Sequence, residues 1–456
     1  MTSTLTKRLL TLVLLLLPLS ARAHGGLPVS EQIIWNGDQM IVPTQYWGIF
    51  FGTDGGPWRW ICEEAVNGDQ QRVWTRAGSG AYHVNYFLGV TSSRDGGCTW
   101  ITATGDISTR HVTSFFADPV EPQRVWAATG EGGDVPWNAL YTTTDDGLSW
   151  MPVIEKDEYL YGVVVSGDGM TIYLTGTPRP NADAGVTGIP PTVLHVSRDR
   201  GMTFTDHAID FPLDGQQAVV APLAIDPADA GTVYLSATGA PSASLLVAKG
   251  FGATISKGFD VVPPPVDMAG VITPRVGLVY SVAFDTTRGS VLAATSFGLL
   301  RAKSGGAFVP TSALTRAQCV SLHGAAIYVC GYNYAPDLAA IARSDDGGDT
   351  FTPVFRYDET VGPVTTCGGA TPVALTCPGI WQMYADQLGV GIGPSVDASA
   401  SMSADASTIS PPPSACHCRA GARSSKHSNI EILMGICVLG LLAARRSRRG
   451  SRDQTR

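Results

Sequence analysis

Four aspartates recur at the third position of one eight-residue motif, and carboxylates repeated in this way could bind metal ions or act as general acids and bases. The motif is Ser/Thr-x-Asp-x-Gly-x-Thr/Ser-aromatic. Its four copies contribute Ser93, Asp95, Gly97, Thr99 and Trp100; Thr143, Asp145, Gly147, Ser149 and Trp150; Ser197, Asp199, Gly201, Thr203 and Phe204; and Ser344, Asp346, Gly348, Thr350 and Phe351. A structural interpretation is favoured over a catalytic one, because every position suits a tight turn between strands.

Each position of the motif has a physical reason in such a turn. A glycine adopts positive φ at no steric cost, and an aspartate before it accepts backbone N–H groups across the turn. The Ser or Thr hydroxyl adds a further hydrogen bond, and the terminal Trp or Phe buries a large apolar area between neighbouring sheets. The motif therefore predicts the stapled end of a β-hairpin, repeated once per sheet.

The motif resembles the Asp-box, or BNR repeat, of sialidases, sortilin-type receptors and photosystem assembly factors. This resemblance implies a β-propeller in which the box aspartates lie on the rim and not in a substrate pocket. Three decayed copies follow the same pattern, at residues 53–58, 248–255 and 301–308. Seven units spaced by roughly 40–55 residues predict an all-β, seven-bladed β-propeller of four-stranded antiparallel blades over residues 24–392.

Composition agrees with a fold of many turns and few helices. The chain has 52 Gly and 30 Pro in 456 residues, and no long stretch of the core shows a 3.6-residue apolar rhythm.

The start of the chain predicts export. Lys7 and Arg8 precede an apolar run over residues 9–19, and Ala23 ends a small-x-small cleavage site. Residues 1–23 are therefore interpreted as a signal peptide. Residues 393–415 form a linker rich in Ser, Ala and Pro.

Residues 416–456 resemble the MYXO-CTERM sorting tail of myxobacteria. They hold a Cys pair, an apolar run over residues 430–444 and a group of arginines: Cys416, Cys418, Arg445, Arg446, Arg448 and Arg449. The resemblance implies membrane contact through the tail before processing, contact with the export and sorting machinery, and a final place at the cell surface or outside the cell after cleavage. A retained C-terminal membrane anchor is the alternative, and either one places the propeller outside the cytoplasm.

Charge limits the possible partners. The whole chain holds 31 basic and 39 acidic residues, and removing the two terminal segments leaves 19 basic against 37 acidic residues. A surface this acidic is a poor partner for nucleic acid. No cofactor or metal is indicated, because the cysteines and histidines lack ligand spacing.

Nine cysteines in an exported chain predict disulfides. Cys319 and Cys330 flank a predicted hairpin and could face each other. Cys367 and Cys377 enclose a short loop containing Gly and Pro, where a disulfide would stabilise the closure of the ring. Cys62 and Cys98 are the remaining candidates.

No recognisable catalytic motif accompanies the fold. Sialidases hold the substrate carboxylate with arginines, one of them in an Arg-Ile-Pro motif, and this motif is absent. A glycoside hydrolase on the same scaffold would need two converging carboxylates, and no spacing selects a pair from the acids outside the motif, which include Glu63, Glu64, Asp106, Asp134, Asp157, Glu158 and Asp267. We therefore expect a binding or scaffold module for an unknown protein or glycan ligand. A polysaccharide-directed glycoside hydrolase is the alternative, and a purely structural envelope protein is a third possibility.

Two segments could contribute to binding. The aromatic-rich stretch from Trp35 to Trp60 would form either inter-blade core or a binding platform. The Pro-rich insertion at residues 177–192 would overhang one face and could border a partner site.

Overall fold

The computed structural model describes residues 28–45, 47–66, 73–85, 88–131, 137–179, 190–239, 241–263, 276–303, 306–311 and 314–391. Within them, seven four-stranded antiparallel sheets follow one another along the chain as the blades of a β-propeller. The predicted fold class and blade number are confirmed.

The strands of the first four blades are as follows. Blade 1 holds Ile34–Asn36, Gln39–Thr44, Gly48–Gly52 and Trp58–Ile61; blade 2 holds Trp74–Arg76, Tyr82–Asn85, Val90–Ser93 and Ile101–Thr102; blade 3 holds Val112–Ala117, Val125–Thr129, Asn138–Thr143 and Met151–Lys156; blade 4 holds Glu158–Val165, Ile172–Pro178, Thr192–Ser197 and Thr205–Ile209.

The remaining three blades repeat the pattern. Blade 5 holds Val219–Asp226, Asp229–Thr238, Ala243–Lys249 and Thr254–Val261; blade 6 holds Val279–Asp285, Ser290–Thr295, Gly298–Lys303 and Val309–Pro310; blade 7 holds Cys319–His323, Ala326–Cys330, Ile341–Ser344 and Thr352–Phe355. A small hairpin, Pro212–Leu213 with Gln216–Gln217, lies between blades 4 and 5. Short 3₁₀ helices span Glu63–Val66, Asp106–Thr109 and Tyr357–Glu359.

The first strands of the blades lie side by side around the centre of the ring. Hydrogen bonds cross from one first strand to the next: Thr113 Oγ1 donates to the Leu160 carbonyl at 2.9 Å, and the Val320 N–H donates to Ser281 Oγ at 2.9 Å. Because each blade is a simple meander, its first–second and third–fourth turns share one face of the ring, called here the turn face. The second–third turns and the connections between blades share the other, called here the loop face.

Apolar residues between adjacent blades form the core. One buried cluster joins blades 3 and 4 around Trp126, Leu140, Leu160 and Ile172, and others join blades 2 with 3 and blades 6 with 7. Side chains alternate between the two faces of a strand, so each sheet can contact a neighbour on both sides. The ring is therefore one continuous packed body, as a stack of supersecondary units requires.

The four repeated motifs lie in the third–fourth turns of blades 2, 3, 4 and 7, on the turn face. In the first copy Asp95 accepts hydrogen bonds from the Thr99 N–H at 2.9 Å and the Thr99 hydroxyl at 2.7 Å, and Gly97 N–H donates to Ser93 Oγ at 2.9 Å. Gly97 has φ +92°, which favours glycine. Trp100 is buried. The same bonds recur at Asp145, Asp199 and Asp346.

Blade 1 carries an additional strand and a helix from the end of the described chain. The closing strand, Thr360–Pro363, pairs in parallel with Trp58–Ile61 on the outer edge of the blade. The closing helix, Pro372–Leu388, begins after its N-cap Thr371 and ends at Gly389, which has φ +76°. The expected loop between Cys367 and Cys377 is therefore wrong, because residue 377 already lies in a helix. Packing on blade 1 and the Thr371 cap offset the helix-breaking tendency of Pro378.

The described residues contain three disulfides, and two of the predicted pairings need correction. Cys319 and Cys330 are joined as expected, as direct partners on neighbouring strands of blade 7. Cys367 and Cys377 are not joined to each other. Cys62 of blade 1 is bonded to Cys377, and Cys98 of blade 2 is bonded to Cys367. The short separation of Cys367 and Cys377 favoured a local pair, whereas the closing segment runs across two blades and meets a partner in each.

No helix among the described residues is both long and apolar enough to cross a membrane. The signal segment ending at Ala23 and the tail with Cys416, Cys418 and the terminal arginines lie outside the described residues.

Candidate functional site

The first strands of the blades surround the central channel and carry few acidic residues. Only Glu158, Asp226 and Asp285 are acidic on the described first strands. Asp285 is buried and ion-paired with Arg288 at 2.8 Å, and Asp226 accepts the Ala228 N–H at 2.9 Å. These two end their strands on the turn face, whereas Glu158 begins its strand on the loop face. The described channel wall therefore lacks the pair of facing carboxylates that a glycosidase needs.

Within the part of the chain that the structure describes, the loop face carries three pairs of arginine and aromatic side chains. In each pair one residue lies at or before the start of a first strand, and the other lies in the second–third turn of the same blade. The pairs are Arg110 with Trp137 at 4.4 Å, Arg179 with Tyr159 at 5.9 Å and Arg316 with Tyr332 at 4.9 Å, from guanidinium carbon to ring centroid. Such cation–π contacts hold the ring and the charge together. Arg110 is buried, whereas the other five side chains are partly exposed and can offer apolar rings and N–H donors to a ligand.

Acidic neighbours partly offset the positive charge of two of these arginines. Arg179 Nε lies 3.3 Å from Asp157 Oδ1, and Arg110 lies 4.0 Å from Glu131 Oε2. The pairs are therefore better suited to polar, ring-containing ligands than to a dense polyanion.

The third pair belongs to a tightly held loop in blade 7. Asp337 accepts hydrogen bonds from the Thr315 N–H at 2.9 Å and from the Arg316 N–H at 3.3 Å, so the second–third turn is fixed to the connection from blade 6. Tyr334 lies against Tyr332 with ring centroids 5.5 Å apart, and burial raises the pKa of Tyr334 to about 12. Burial also raises the pKa of the Asp337 carboxyl. A rigid aromatic surface of this kind binds with little loss of conformational freedom.

A buried histidine bridges two carboxylates in blade 4. His195 Nε2 lies 2.8 Å from Glu158 Oε2, and its Nδ1 lies 2.7 Å from Asp206 Oδ1. Lys156 Nζ donates to the other oxygen of Asp206 at 3.0 Å. Burial acts to raise the pKa of Asp206, but hydrogen bonds from His195 and Lys156 outweigh it and the pKa is lowered.

The contact between Glu158 and His195 requires a glycine at position 176. A Cβ on Gly176 would lie 2.5 Å from Glu158 Oε2 and 2.8 Å from Leu160 Cδ2. Because Gly176 has no side chain, the Glu158 carboxylate has space to cross the second strand of the blade. Because both carboxylates already bond the imidazole, this group resembles a structural polar network more than an open catalytic pair. Within the described residues, no group of three or more His, Cys, Asp and Glu is arranged to hold a metal ion.

The repeated-motif residues lie apart from these groups, on the turn face. Hydrogen bonds from the Thr203 side chain and backbone lower the pKa of Asp199 to about 2, and the corresponding bonds from Thr350 lower the pKa of Asp346. A carboxyl with so low a pKa stays ionised and is a poor general acid. This agrees with the structural interpretation of the motif.

The aromatic stretch near the start of the propeller is mostly core. Trp47, Phe50, Trp58 and Trp60 are buried in the cluster that joins blade 1 to its neighbours and to the closing helix. Trp35 is half-buried and stacks on His323 at 4.2 Å. Tyr46 and residues 180–189 of the Pro-rich insertion lie outside the described residues.

Sequence patterns alone did not select the groups of the loop face. In the sequence, Glu158 is one of several acidic residues without a recognisable partner, and neither His195 nor these arginines belong to a motif. Partners lie roughly 15–40 residues apart in sequence and meet only because each four-stranded blade returns to the same face. A search for arginine and aromatic residues next to the predicted loop-face turns would have found them.

No protein-family model matches the chain, and no characterised protein matches its sequence. Solved structures are similar in fold. A puromycin-hydrolyzing peptidase from Mycobacterium tuberculosis is 12% identical with a TM-score of 0.50, over 74% of this chain and 54% of that one. A GH74 xyloglucanase from Xanthomonas campestris is 14% identical with a TM-score of 0.46, over 73% of this chain and 54% of that one.

The extracellular domain of a two-component system protein from B. thetaiotaomicron is also similar, at 12% identity and a TM-score of 0.47, over 72% of this chain and 39% of that one. The chain thus spans about half the length of these proteins, or less. Identities this low show the propeller fold alone.

Proposed function

We propose that the chain is an exported Asp-box β-propeller that acts as a binding or scaffold module at the cell surface, with its loop face as the ligand surface. The observation that carries this proposal is the set of three arginine–aromatic pairs on the loop face, in blades 3, 4 and 7. Aromatic and arginine side chains are the residues most enriched at binding hot spots. The acidic residues of the described channel wall, by contrast, are engaged in bonds within their own blades.

The ligand is a protein or a glycan of the cell envelope. Aromatic rings contact the apolar faces of sugar rings as well as protein side chains, and guanidinium N–H groups donate to the hydroxyl, carbonyl and carboxylate oxygens of either. The disulfides support an oxidising compartment, because such bonds persist outside the cytoplasm.

Binding to cells tests this function. Labelled exported protein is added to cells of the producing organism, and bound label is measured as the protein concentration rises. Saturable binding is expected, with Trp137→Ala and Tyr332→Ala each weakening it about tenfold, as the loss of a hot-spot residue does. Arg198→Gln serves as the control, because Arg198 packs on Phe251 on the turn face.

The outcomes separate the possibilities. Pretreating the cells with protease or with periodate identifies the ligand as protein or glycan. Absence of saturable binding, or equal binding by Trp137→Ala, Tyr332→Ala and wild type, would overturn the proposed surface.

The processing steps belong to the same proposal. We infer cleavage after Ala23 and, by resemblance to the MYXO-CTERM tail, near Cys416 and Cys418. Intact mass measurement of the exported protein tests both cleavages. A mature protein that still holds Arg445, Arg446, Arg448 and Arg449 would favour the retained anchor over the sorting signal.

The alternative function is a polysaccharide-directed glycoside hydrolase. Glu158 and Asp206 are the carboxylates that would carry such a reaction, because they flank one imidazole in blade 4. Their bonds to His195 favour the binding module.

A further inference from the structure

A pocket of about 460 Å³ lies on the turn face between blades 1 and 2. Its volume falls in the range of small-molecule sites. The wall combines a guanidinium, two amides, a hydroxyl and two aromatic rings, from Arg59, Asn36, Gln39, Thr366, Phe51 and Tyr82. None of these residues belongs to the loop-face surface described above.

The segment that follows the closing strand forms one side of this pocket, and it is fixed at three points. Arg59 Nη1 donates to the Pro363 carbonyl at 3.0 Å, and the Val364 N–H donates to the Trp60 carbonyl at 2.9 Å. The disulfide from Cys367 to Cys98 then ties the segment to blade 2. The pocket is therefore preformed, which lowers the entropy lost when a ligand binds.

The described lining of the pocket includes one cationic side chain and no acidic one, within an acidic protein. Arg59 bonds a backbone carbonyl, and Arg76 bonds Asn36 Oδ1 at 2.9 Å and lies close to Tyr82. Among the residues that the structure describes, neither arginine has a carboxylate within ion-pair distance, and no residue that lines the pocket is acidic. The Nε atom of Arg76 is also buried without a hydrogen-bond partner in that set. A carboxylate of a ligand would supply the missing counter-charge.

The remaining wall groups narrow the ligand class. Phe51 and Tyr82 line the pocket, and their rings lie 6.4 Å apart in an edge-on arrangement, so part of the wall is apolar. The Asn36 amide is already engaged with Arg76 and lies 3.5 Å from the Gln39 amide oxygen, which leaves the Gln39 amide nitrogen able to donate. Apolar ring contacts, amides and hydroxyls around one guanidinium suit a sugar ring that bears a carboxylate.

We propose that this pocket binds a uronic acid, free or as a residue of an acidic polysaccharide, with the carboxylate at Arg59 and the ring against Phe51 and Tyr82. The site is separate from the loop face, so the proposal neither depends on nor replaces the proposed cell-surface function.

Galacturonate and galactose form a matched pair of probes, because they differ only in the carboxylate. Saturation-transfer NMR titrations use the full exported protein with each sugar in turn, and with propionate as a carboxylate that lacks the ring. Galacturonate is expected to bind at least about tenfold more tightly than galactose or propionate, the difference that one charge-assisted hydrogen bond supplies.

Variants locate the site. Arg59→Gln is expected to weaken galacturonate binding about tenfold, and Gln39→Ala, which leaves the bond from Arg59 to Pro363 in place, is expected to weaken it by a smaller factor. Arg198→Gln, on the turn face of another blade, is expected to bind like wild type. Equal binding of galacturonate and galactose, equal binding of galacturonate and propionate, or no effect of both Arg59→Gln and Gln39→Ala would overturn the proposal.

Discussion

The disulfide between Cys62 and Cys377 joins the end of blade 1 to the closing helix across 315 residues of sequence, with the two Cα atoms 5.4 Å apart. The second long-range disulfide, from Cys98 to Cys367, joins the same closing segment to blade 2. The ring is thus closed covalently by a segment outside the four-stranded pattern, in addition to the contacts between blades 7 and 1.

Removing the long-range disulfides should cost more stability than removing the local one. Replacing both Cys62 and Cys377 with Ser is expected to lower the free energy of unfolding by about 2–4 kcal/mol, because the unfolded chain regains the freedom of a ring that is longer than the Cys319–Cys330 loop even while Cys98–Cys367 remains. Replacing Cys319 and Cys330, which close an 11-residue separation, should cost less. Denaturant titration of each variant measures both losses.

The two long-range disulfides should also depend on each other. While Cys98–Cys367 remains, the closing segment stays tethered, so the loss of both bonds is expected to exceed the sum of the single losses. Losses that simply add in the variant lacking both disulfides would contradict this dependence.

His83 should make the fold sensitive to acid. Burial, and to a smaller degree the charge of Arg94, lowers the pKa of His83 to about 3. Because this lies below the unfolded value near 6.5, the unfolded state binds the proton first. Stability is therefore complete above about pH 6.5 and is lost as the pH falls toward 3, by about 1.4 kcal/mol per pH unit.

The variant His83→Asn isolates this effect, because it keeps a polar atom for Ser92 but does not titrate. The stability advantage of wild type over His83→Asn is expected to shrink between pH 7 and pH 4.5. A constant difference, measured by denaturant titration at several pH values in this window, would contradict the buried neutral imidazole.

Gly176→Ala should disturb the network around His195. The added Cβ would lie 2.5 Å from Glu158 Oε2 and 2.8 Å from Leu160 Cδ2, so the buried neighbours must shift at a cost of about 1–3 kcal/mol. Gly167→Ala is the control, since its Cβ meets nothing within 4 Å. Thermal unfolding compares the two, and the imidazole NMR signals of His195 report whether Glu158 has moved.

Asp145→Ala should destabilise blade 3 without affecting ligand binding. The substitution leaves the Ser149 N–H, which donates at 2.9 Å, and the Ser149 hydroxyl, which donates at 2.6 Å, without their acceptor. A loss of about 1 kcal/mol is expected, as for other side-chain caps of backbone N–H groups. Leu148→Ala in the same turn, where Leu148 is exposed, should have little effect. Loss of cell binding by folded Asp145→Ala would instead give the motif a functional role.

The parts of the fold that the sequence predicted are those encoded by local interactions. All the hydrogen bonds that define the turn around Asp95 lie within residues 93–100. Such a turn is therefore recognisable in the sequence, and seven related turns predict seven blades. The partners of the long-range disulfides could not be predicted in this way, because Cys62 and Cys377 are far apart in sequence. They come together only where the closing segment packs on blade 1. The closing helix was missed since Pro372 and Pro378 are typical of loops, and its stability comes from packing on blade 1.

The candidate site was hidden for a related reason. The Glu158 side chain passes over the second strand of blade 4 at Gly176, where the missing side chain leaves space, and bonds His195. Arg110 contacts Trp137 because the second–third turn of blade 3 lies on the same face of the ring as the start of its first strand. Neither relationship has a fixed spacing in sequence, whereas both follow once the blade topology is known.

The most direct test of the central claim measures polysaccharide binding and cleavage by the same exported protein. A panel of neutral and acidic polysaccharides is incubated with wild type and with Glu158→Gln, and both gel retardation and the release of reducing ends are recorded. If the protein is a binding module, the concentration of reducing ends stays no higher than in a heat-denatured control, whether or not a polysaccharide slows the protein in the gel. Release of reducing ends by wild type that Glu158→Gln abolishes would contradict this account and establish the hydrolase.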